Sequence, residues 1–343
     1  MYIYDLTQPQ LVEWVTAQGH KPFRAEQIWK FLYQQKVSSF QEMHNLPNDL
    51  IELLDGAFEM KALEYVLHHN SEDGTIKYLF SLHDGHLIES VVMTHHYGIS
   101  ICVTTQVGCN IGCSFCASGQ LSKKRNLTSG EIVAQILESE RLSNKRIAYV
   151  VVMGIGEPFD NYVHLTNFLY TINDAHGLAI GARHITVSTS GIVPKIREFA
   201  ELGIQVNLAV SLHAPNNEIR TSLMRINQKY DVDAVLDAVR DYLAKSNRRV
   251  TFEYIMIQEI NDSEAVALEL VEKIKGMNAY VNLIPYNEVI EAPYKRSTRV
   301  RMERFYDILK KHHVQVTLRK EQGHDINAAC GQLRSQRAKK EML

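Results

Sequence analysis

Ile99-Ser-Ile-Cys-Val-Thr104, a loop containing Cys109-Asn-Ile-Gly-Cys113-Ser-Phe-Cys116, the run Thr128–Arg141 and then Ala148-Tyr-Val-Val-Val-Met153 set the rhythm of this chain. The first and last runs are short and rich in β-branched residues, which suit a pleated strand. Between them, apolar residues recur at helical spacing. Strand, helix and strand in that order form the unit of a parallel sheet with right-handed crossovers. The pattern returns in strand-like runs at His184–Ser188, Gln205–Ser211, Val250–Met256, Tyr280–Ile284 and Val314–Leu318. Helical patterns at Tyr162–Asn173, Val232–Lys245 and Glu264–Lys275 fall between them. The spacing predicts an α/β fold, a complete or partial TIM-type (β/α) barrel. In that architecture chemistry collects at the C-terminal ends of the strands.

Upstream the reading changes. Arg24–Gln35, with Ile28, Phe31 and Leu32 at helical spacing after Pro22, predicts a helix, and a second short one is expected after Pro47. Thr75–Leu82 and His86–Met93 alternate and are joined by Asp84-Gly85, a two-residue hairpin signal. Two units are therefore expected. Residues 1–93 form a small helical module with a hairpin, and residues 94–343 form the barrel with a C-terminal loop. The stretch Arg334–Lys340 is basic and is expected to fray.

Composition narrows the function classes. The 343 residues carry 37 Lys plus Arg against 39 Asp plus Glu, a net charge of −2, with 45% apolar residues. That is the profile of a globular protein without a coat of positive charge, so nucleic-acid contact has to come from local patches. No apolar run reaches the roughly 18 residues needed to span a bilayer. The start, MYIYDLTQPQ, has no basic region followed by an apolar stretch, so a cytoplasmic protein with no membrane partner is expected.

Five cysteines are an odd number, and outside a secretory context they point to metal or redox chemistry rather than a disulfide framework. Cys109, Cys113 and Cys116 fall within eight residues and share no single helix or strand face. Three thiolates leave two possibilities. A closed zinc site needs a fourth ligand, such as Cys330 or a histidine, in what would then be a zinc-binding RNA-binding module. A four-iron cube with three cysteines keeps one iron open. The spacing C-x3-C-x2-C, with Phe115 before the last cysteine, resembles the radical S-adenosylmethionine (SAM) superfamily. The resemblance implies a [4Fe-4S] cluster on Cys109, Cys113 and Cys116 whose open iron chelates SAM. It extends to later strand ends. Met153-Gly-Ile-Gly156-Glu157-Pro158 is similar to the segment that holds the amino group of SAM, and Ser188, Ser211-Leu212-His213 and Asn287 close the following strands. Singly each is an ordinary loop cap; together, at successive strand ends, they make a candidate cofactor site.

The match then covers most of the chain. Cys102-Val-Thr-Thr-Gln-Val-Gly-Cys109, Lys123-Lys-Arg-Asn-Leu127, Met153–Asn161, Arg183-His-Ile-Thr-Val-Ser-Thr-Ser-Gly191, Ser211-Leu-His-Ala-Pro215, Asn282-Leu-Ile-Pro285 and Asp325-Ile-Asn-Ala-Ala-Cys-Gly-Gln-Leu333 resemble the RlmN family of ribosomal RNA adenine methyltransferases and its resistance relative Cfr. The resemblance implies methylation of carbon 2 of an adenine in 23S rRNA and of the adenine beside the anticodon in some tRNAs, with two SAM molecules per turnover. One methylates Cys330. The second yields a 5′-deoxyadenosyl radical that takes a hydrogen from that methyl group, and the methylene radical attacks the adenine. Cys102 then resolves the protein–RNA adduct by forming a disulfide with Cys330, and Glu89 handles protons. A flavodoxin-type electron donor is also implied, and a monomer is expected.

The chain departs from the carbon-2 pattern at Asn327, where Asp is common, and at Gly119, which is closer to the carbon-8 resistance enzyme. Basic clusters at Lys123, Lys124 and Arg125, at Arg248 and Arg249, at Lys295, Arg296, Arg299 and Arg301, and in the tail are candidate phosphate contacts. The first borders the proposed site.

Overall fold

Strand propensity and helix caps cut this chain into alternating elements. In the computed structural model, which describes residues 1–246, 248–289 and 292–333, the N-terminal part contributes α1 (Gln8–Ala17), α2 (Phe23–Lys30) and α3 (Asn48–Ala57). Next come β1 (Glu64–Asn70), β2 (Ile76–Ser81), β3 (Leu87–His95), β4 (Gly98–Cys102) and a two-residue ribbon of β5 (Gln106–Val107) with β6 (Arg125–Asn126). Strands and helices then alternate: α4 (Ser129–Ser143), β7 (Tyr149–Val152), α5 (Tyr162–Asn173), β8 (Ile185–Thr189), α6 (Val193–Phe199) and β9 (Asn207–Ser211). The series closes with α7 (Asn217–Leu223), α8 (Val232–Lys245), β10 (Val250–Met256), α9 (Glu264–Ile274), β11 (Ala279–Pro285), α10 (Arg299–Lys311) and β12 (Gln315–Leu318). Side-chain oxygens of Thr128, Asn216, Asp231, Ser263 and Thr298 accept the first free amides of α4, α7, α8, α9 and α10, which fixes where those helices begin.

One sheet holds ten strands in the order β1-β2-β3-β4-β7-β8-β9-β10-β11-β12. From β4 onward all neighbours are parallel, so the predicted partial (β/α) barrel is what forms. The hairpin strands are antiparallel and continue the same sheet through β3 and β4. Val150, Val152, Ile185, Val187, Leu208, Val210, Phe252, Tyr254, Val281 and Leu283 are buried in the main apolar core. Alternate positions carry Thr186, Ser188, Asn207, Ser211, Thr251, Glu253, Asn282 and Thr317, and Asn282 Nδ2 donates to Glu253 Oε2 at 2.8 Å. The inner face is thus polar, unlike the branched apolar layers that fill a closed TIM barrel.

The barrel stays open, because β12 and β1 are unpaired edges. A strap, residues 320–333, crosses from β12 to the hairpin. Asp73 Oδ2 accepts the Gly323 amide at 2.9 Å, Ser71 Oγ donates to Asp325 Oδ1 at 2.6 Å, and Gln322 Nε2 reaches Thr94 O at 3.5 Å. Ile326, Ala328 and Leu333 pack on Val91, Met93, Cys102 and Ile155 in a small apolar cluster of their own.

Two upstream expectations change. The helix expected over 24–35 is regular only to Lys30; Phe31–Gln35 widens into a π turn that ends at Lys36 with φ 54°. Phe31, Leu32 and Tyr33 are all buried, and three consecutive buried side chains do not share one α-helical face. β1 is an added strand; its residues are mostly exposed, so it offers no alternating pattern to read. Among the described residues, no helix is long and apolar enough to cross a membrane.

Candidate active site

The loops leaving the C-terminal ends of β4, β7, β8, β9 and β11 converge, as parallel strands require. The cysteine loop follows the β4 end. Its Cys109 amide donates to Leu121 O at 2.9 Å and its Ser114 amide to Leu223 O at 3.0 Å, so the segment leading into β6 and the end of α7 hold it from two sides. Phe115 packs with Leu223, Met224, Ile255, Ile257 and Tyr286, and Cys113 and Cys116 lie against that cluster. Gly119 explains itself here. A Cβ at 119 would sit 2.6 Å from Cys113 O, so any side chain would push the following turn off the loop.

Burial pushes the Cys109 thiol up to about 12, and burial also raises Cys113 and Cys116. Cys116 raises both of its partners and Cys109 raises Cys113, so the thiols face one another. Three thiolates in such a place need a cation to balance them. Three cysteines on one short loop can hold a metal centre, and a four-iron cluster would take each of them on a different iron, with the fourth iron open.

At the β7 end, Gly156 has φ 110° and a Cβ there would strike Gln106 Cβ at 2.7 Å. The bare backbone lets Thr105 donate to Ile155 O at 3.0 Å and Glu157 donate to Gln106 Oε1 at 2.9 Å. The Glu157 carboxylate is buried. Oε1 accepts from the Phe159 amide at 3.0 Å and Thr189 Oγ1 at 2.8 Å, and Oε2 accepts from the Ser190 amide at 2.7 Å. Burial holds its pKa above the usual value despite these bonds. Ser188 and Ser211 are half-buried on the inner face, and Leu212 is buried with its amide on Glu253 O at 3.1 Å.

His213 follows in the left-handed region, φ 60°, a strained setting for a side chain of its size. Its Nδ1 accepts the Ile255 amide at 3.1 Å, which places the ring proton on Nε2. Burial and the nearby Arg220 lower its pKa to about 3, so the ring is neutral, and it stands edge-on to Phe115 at 5.0 Å. Asn287 Nδ2 donates to Cys330 O at 3.2 Å, while Asn287 Oδ1 and Ser190 Oγ are buried without a partner. Orphaned polar atoms at a converging set of strand ends are what a polar ligand would satisfy.

Cys102, Cys116 and Cys330 line one cavity, together with Met93, Met153 and Asn287. Cys102 ends β4 and is buried; burial, then Cys330, push its thiol up to about 12. Cys330 lies on the strap, half-buried, and both thiols are free. Arg319 also lines the cavity, and its Nη1 donates to Cys330 Sγ at 3.2 Å. Glu89 is buried on β3, on the same strand face as Val91 and Met93, and pairs with Lys77 Nζ at 3.4 Å. Two thiols 228 positions apart in sequence therefore open on one space beside Cys116.

Two family models match, the radical SAM superfamily over residues 103–271 and the ribosomal RNA large subunit methyltransferase N-terminal domain over residues 1–60. A protein of Acholeplasma laidlawii named probable dual-specificity RNA methyltransferase RlmN is 61% identical over 98% of this chain and 99% of its own length. One of the same name from Enterococcus faecalis is 56% identical over 99% of this chain and 98% of its own. This chain belongs to the RlmN family. A crystal structure of a radical SAM methyltransferase from Sphaerobacter thermophilus superposes with a TM-score of 0.93 at 42% identity, covering 98% of this chain and 99% of that one. Membership makes this RlmN-family protein a radical-SAM RNA methyltransferase and implies a [4Fe-4S] cluster and SAM, which the donor set described above fits.

Sequence reasoning about the RlmN-family site missed Arg319, Arg220 and Glu253. Arg220 is fully buried in α7. Its guanidinium donates to the carbonyls of Leu212 at 3.1 Å and Ser190 at 2.5 Å and to Asn227 Oδ1 at 2.9 Å, so it ties the β8 and β9 ends together. Glu253 is buried on the inner face of β10 beneath Arg319's charge; burial raises its pKa and Arg319 opposes that. A buried arginine carries no periodic signal, though Arg319 directly after a strand run could have been asked what it faces. Of the basic clusters, Lys123 pairs with Asp160 at 2.6 Å and Arg125 with Glu131 at 2.7 Å and Asp84 at 2.5 Å, which leaves Lys124 exposed. Arg296, Arg299 and Arg301 pair with Glu321, Glu303 and Asp262, while Lys295 is exposed. The basic tail lies outside the described residues.

Proposed function

We propose that this enzyme methylates carbon 2 of adenine in 23S rRNA and in some tRNAs through a methyl group carried on Cys330. The observation that carries this reading is the shared cavity of Cys102, Cys116 and Cys330 with Arg319 on the Cys330 sulfur. An adenine ring carbon is electron-poor and does not attack SAM, so an ordinary displacement on the base fails and a covalent route is needed. The cluster held by Cys109, Cys113 and Cys116, with SAM, supplies a radical that abstracts hydrogen.

Cys330 acts first as a nucleophile and takes a methyl group from one SAM, with Arg319 donating to the sulfur. Loss of one hydrogen atom from that methyl group leaves a carbon radical that bonds to the adenine. The radical adduct gives up one electron, for which the cluster, oxidised when SAM is cleaved, would be the acceptor, and loses a proton from the ring carbon, with Glu89 as the proton-handling residue. Cys102 then attacks the Cys330 sulfur, a Cys102–Cys330 disulfide forms, and the carbon–sulfur bond to the base breaks, its electron pair taking up a proton to complete the new methyl group. Two SAM molecules are consumed per turnover. Gly156, Glu157, Ser188, Ser211, Leu212, His213 and Asn287 form the SAM pocket, where the buried, unpartnered Asn287 Oδ1 supports the assignment. Residues 1–93 act as the RNA-facing unit and 94–343 as the catalytic unit of a cytoplasmic monomer that draws electrons from a flavodoxin-type donor.

The test is mass spectrometry of nucleosides from unmodified 23S rRNA after anaerobic incubation with reconstituted enzyme, reductant and SAM. The 2-methyladenosine product is expected. Appearance of 8-methyladenosine instead would keep the thiol chemistry and overturn the position on the ring, and absence of both would overturn the reading.

A further inference from the structure

We infer that the floor of the barrel, at the N-terminal ends of its strands, binds a phosphate group. This does not depend on the functional reading above, because the recess lies at the end of the sheet opposite the thiols. It is a cavity of about 590 Å³ lined by Arg183, Arg248 and Arg249, the hydroxyls of Thr186 and Thr251, and amide side chains including Asn207 and Gln315.

Strand direction builds this place. Arg183 precedes β8, Arg248 and Arg249 precede β10, and Thr186 pairs with Asn207 across β8 and β9, so all enter the sheet at the same end. Among the described residues, three guanidinium groups line the recess and no carboxylate does. Several surface arginines elsewhere find acids, Arg197 with Asp241 at 2.7 Å, Arg240 with Asp237 at 2.6 Å and Arg299 with Glu303 at 2.7 Å. At the floor the partners are neutral. Arg248 Nη2 donates to Asn207 Oδ1, and Arg249 Nη1 donates to Gln315 Oε1 at 2.7 Å while its guanidinium lies 4.5 Å over the Tyr280 ring. Those bonds fix the side chains without cancelling their charge. Arg248 Nε is moreover buried with no partner, a charged donor left over in a concave site.

An oxyanion with several oxygens answers all of this at once. Guanidinium forks match phosphate geometry with paired N–H groups, and threonine hydroxyls complete a ring of donors. A chain of net charge −2 has no general reason to collect three uncompensated arginines in one hollow. The phosphate can come from a small phosphate ester or from the backbone of a bound RNA; the chemistry recognised is the same.

The full-length protein should be titrated with inorganic phosphate at fixed ionic strength and followed by phosphorus NMR. Saturable binding is expected, weakened about tenfold or more by Arg248→Gln and by Arg183→Gln, as for loss of a charge-assisted hydrogen bond. Arg197→Gln, on a paired surface arginine, should change nothing. Arg248→Lys keeps the charge and should retain most of the affinity, which separates loss of the site from loss of the fold. Non-saturable binding, or equal affinity in wild type and both glutamine variants, overturns the proposal. A short single-stranded RNA that displaces phosphate from the wild type assigns the group to an RNA backbone, and failure to displace it assigns a free phosphate ester; both outcomes uphold the site.

Discussion

The two ends of one sheet are built on opposite principles. At the C-terminal end the backbone itself is shaped, with Gly156 at φ 110° and His213 at φ 60°, and the reactive groups are thiols held among apolar side chains. At the N-terminal end the backbone is regular and the side chains are long, charged and only partly covered. The difference teaches how a parallel sheet divides labour. Strand ends that aim many loops at one point can enclose groups and tune them by burial, whereas strand starts can only present charge. The buried end changes protonation, as with His213 at about 3 and Cys102 at about 12, whereas at the floor Arg248 and Arg249 meet only the neutral amides of Asn207 and Gln315.

That contrast can be broken most directly at Cys330. Cys330→Ala should cut RNA methylation by about 10³-fold or more, as for loss of a covalent nucleophile, while the iron–sulfur colour is retained. Nucleoside mass spectrometry beside a visible spectrum checks both halves, and appreciable turnover would end the methyl-carrier role. Cys102→Ala comes next. It should trap a protein–RNA crosslink visible on a denaturing gel, because the sulfur that frees the adduct is gone, and a clean multiple-turnover product would remove Cys102 from the resolving step.

Arg319→Gln should slow methylation of Cys330 by about 10- to 100-fold, the cost of a lost charge-assisted hydrogen bond of about 1.5–3 kcal/mol. The mass of the Cys330 peptide over time reads this before RNA is added, and Arg319→Lys should recover part of the rate. The smallest effect concerns the strap. Burial raises Asp73, but hydrogen bonds from Thr75 and Gly323 outweigh it and hold the carboxyl at about 2. Its folded value lies below the unfolded one, so its contribution is complete above the ordinary carboxylate range of about 4 and disappears as pH falls through about 2. Asp73→Asn should flatten that part of the acid-unfolding curve by a small amount, and an unchanged curve would show that the clamp is immaterial.

The order of barrel elements was legible because β-branched runs and helical spacing are local signals, and Val250–Met256 and Tyr162–Asn173 fall where the pattern put them. The spacing of the three cysteines marked a metal-binding loop but left zinc and an iron–sulfur cluster both open, and only the resemblance to a family chose between them. Arg319 on Cys330, Arg220 across two strand ends and Asp325 on Ser71 were not legible, since each joins groups with no periodic relation in the chain. Asn327 illustrates a departure the backbone accounts for: it sits at φ 51°, a conformation asparagine tolerates better than most residues. Gly119 is another, required by the approach of its turn to Cys113.

The strap has one more consequence. Between β12 and the hairpin the wall is fastened by side chains such as Asp73, Ser71 and Gln322 instead of a ladder of paired amides. A ladder unzips only at the expense of its whole register, whereas such fastenings release one at a time, so local opening is cheapest along this seam. Among the described residues of the catalytic half, amide hydrogens in 320–333 are then expected to exchange with solvent first. In the proposed mechanism the residue that meets both a small cofactor and a polymer therefore rides on the least cooperative part of the wall.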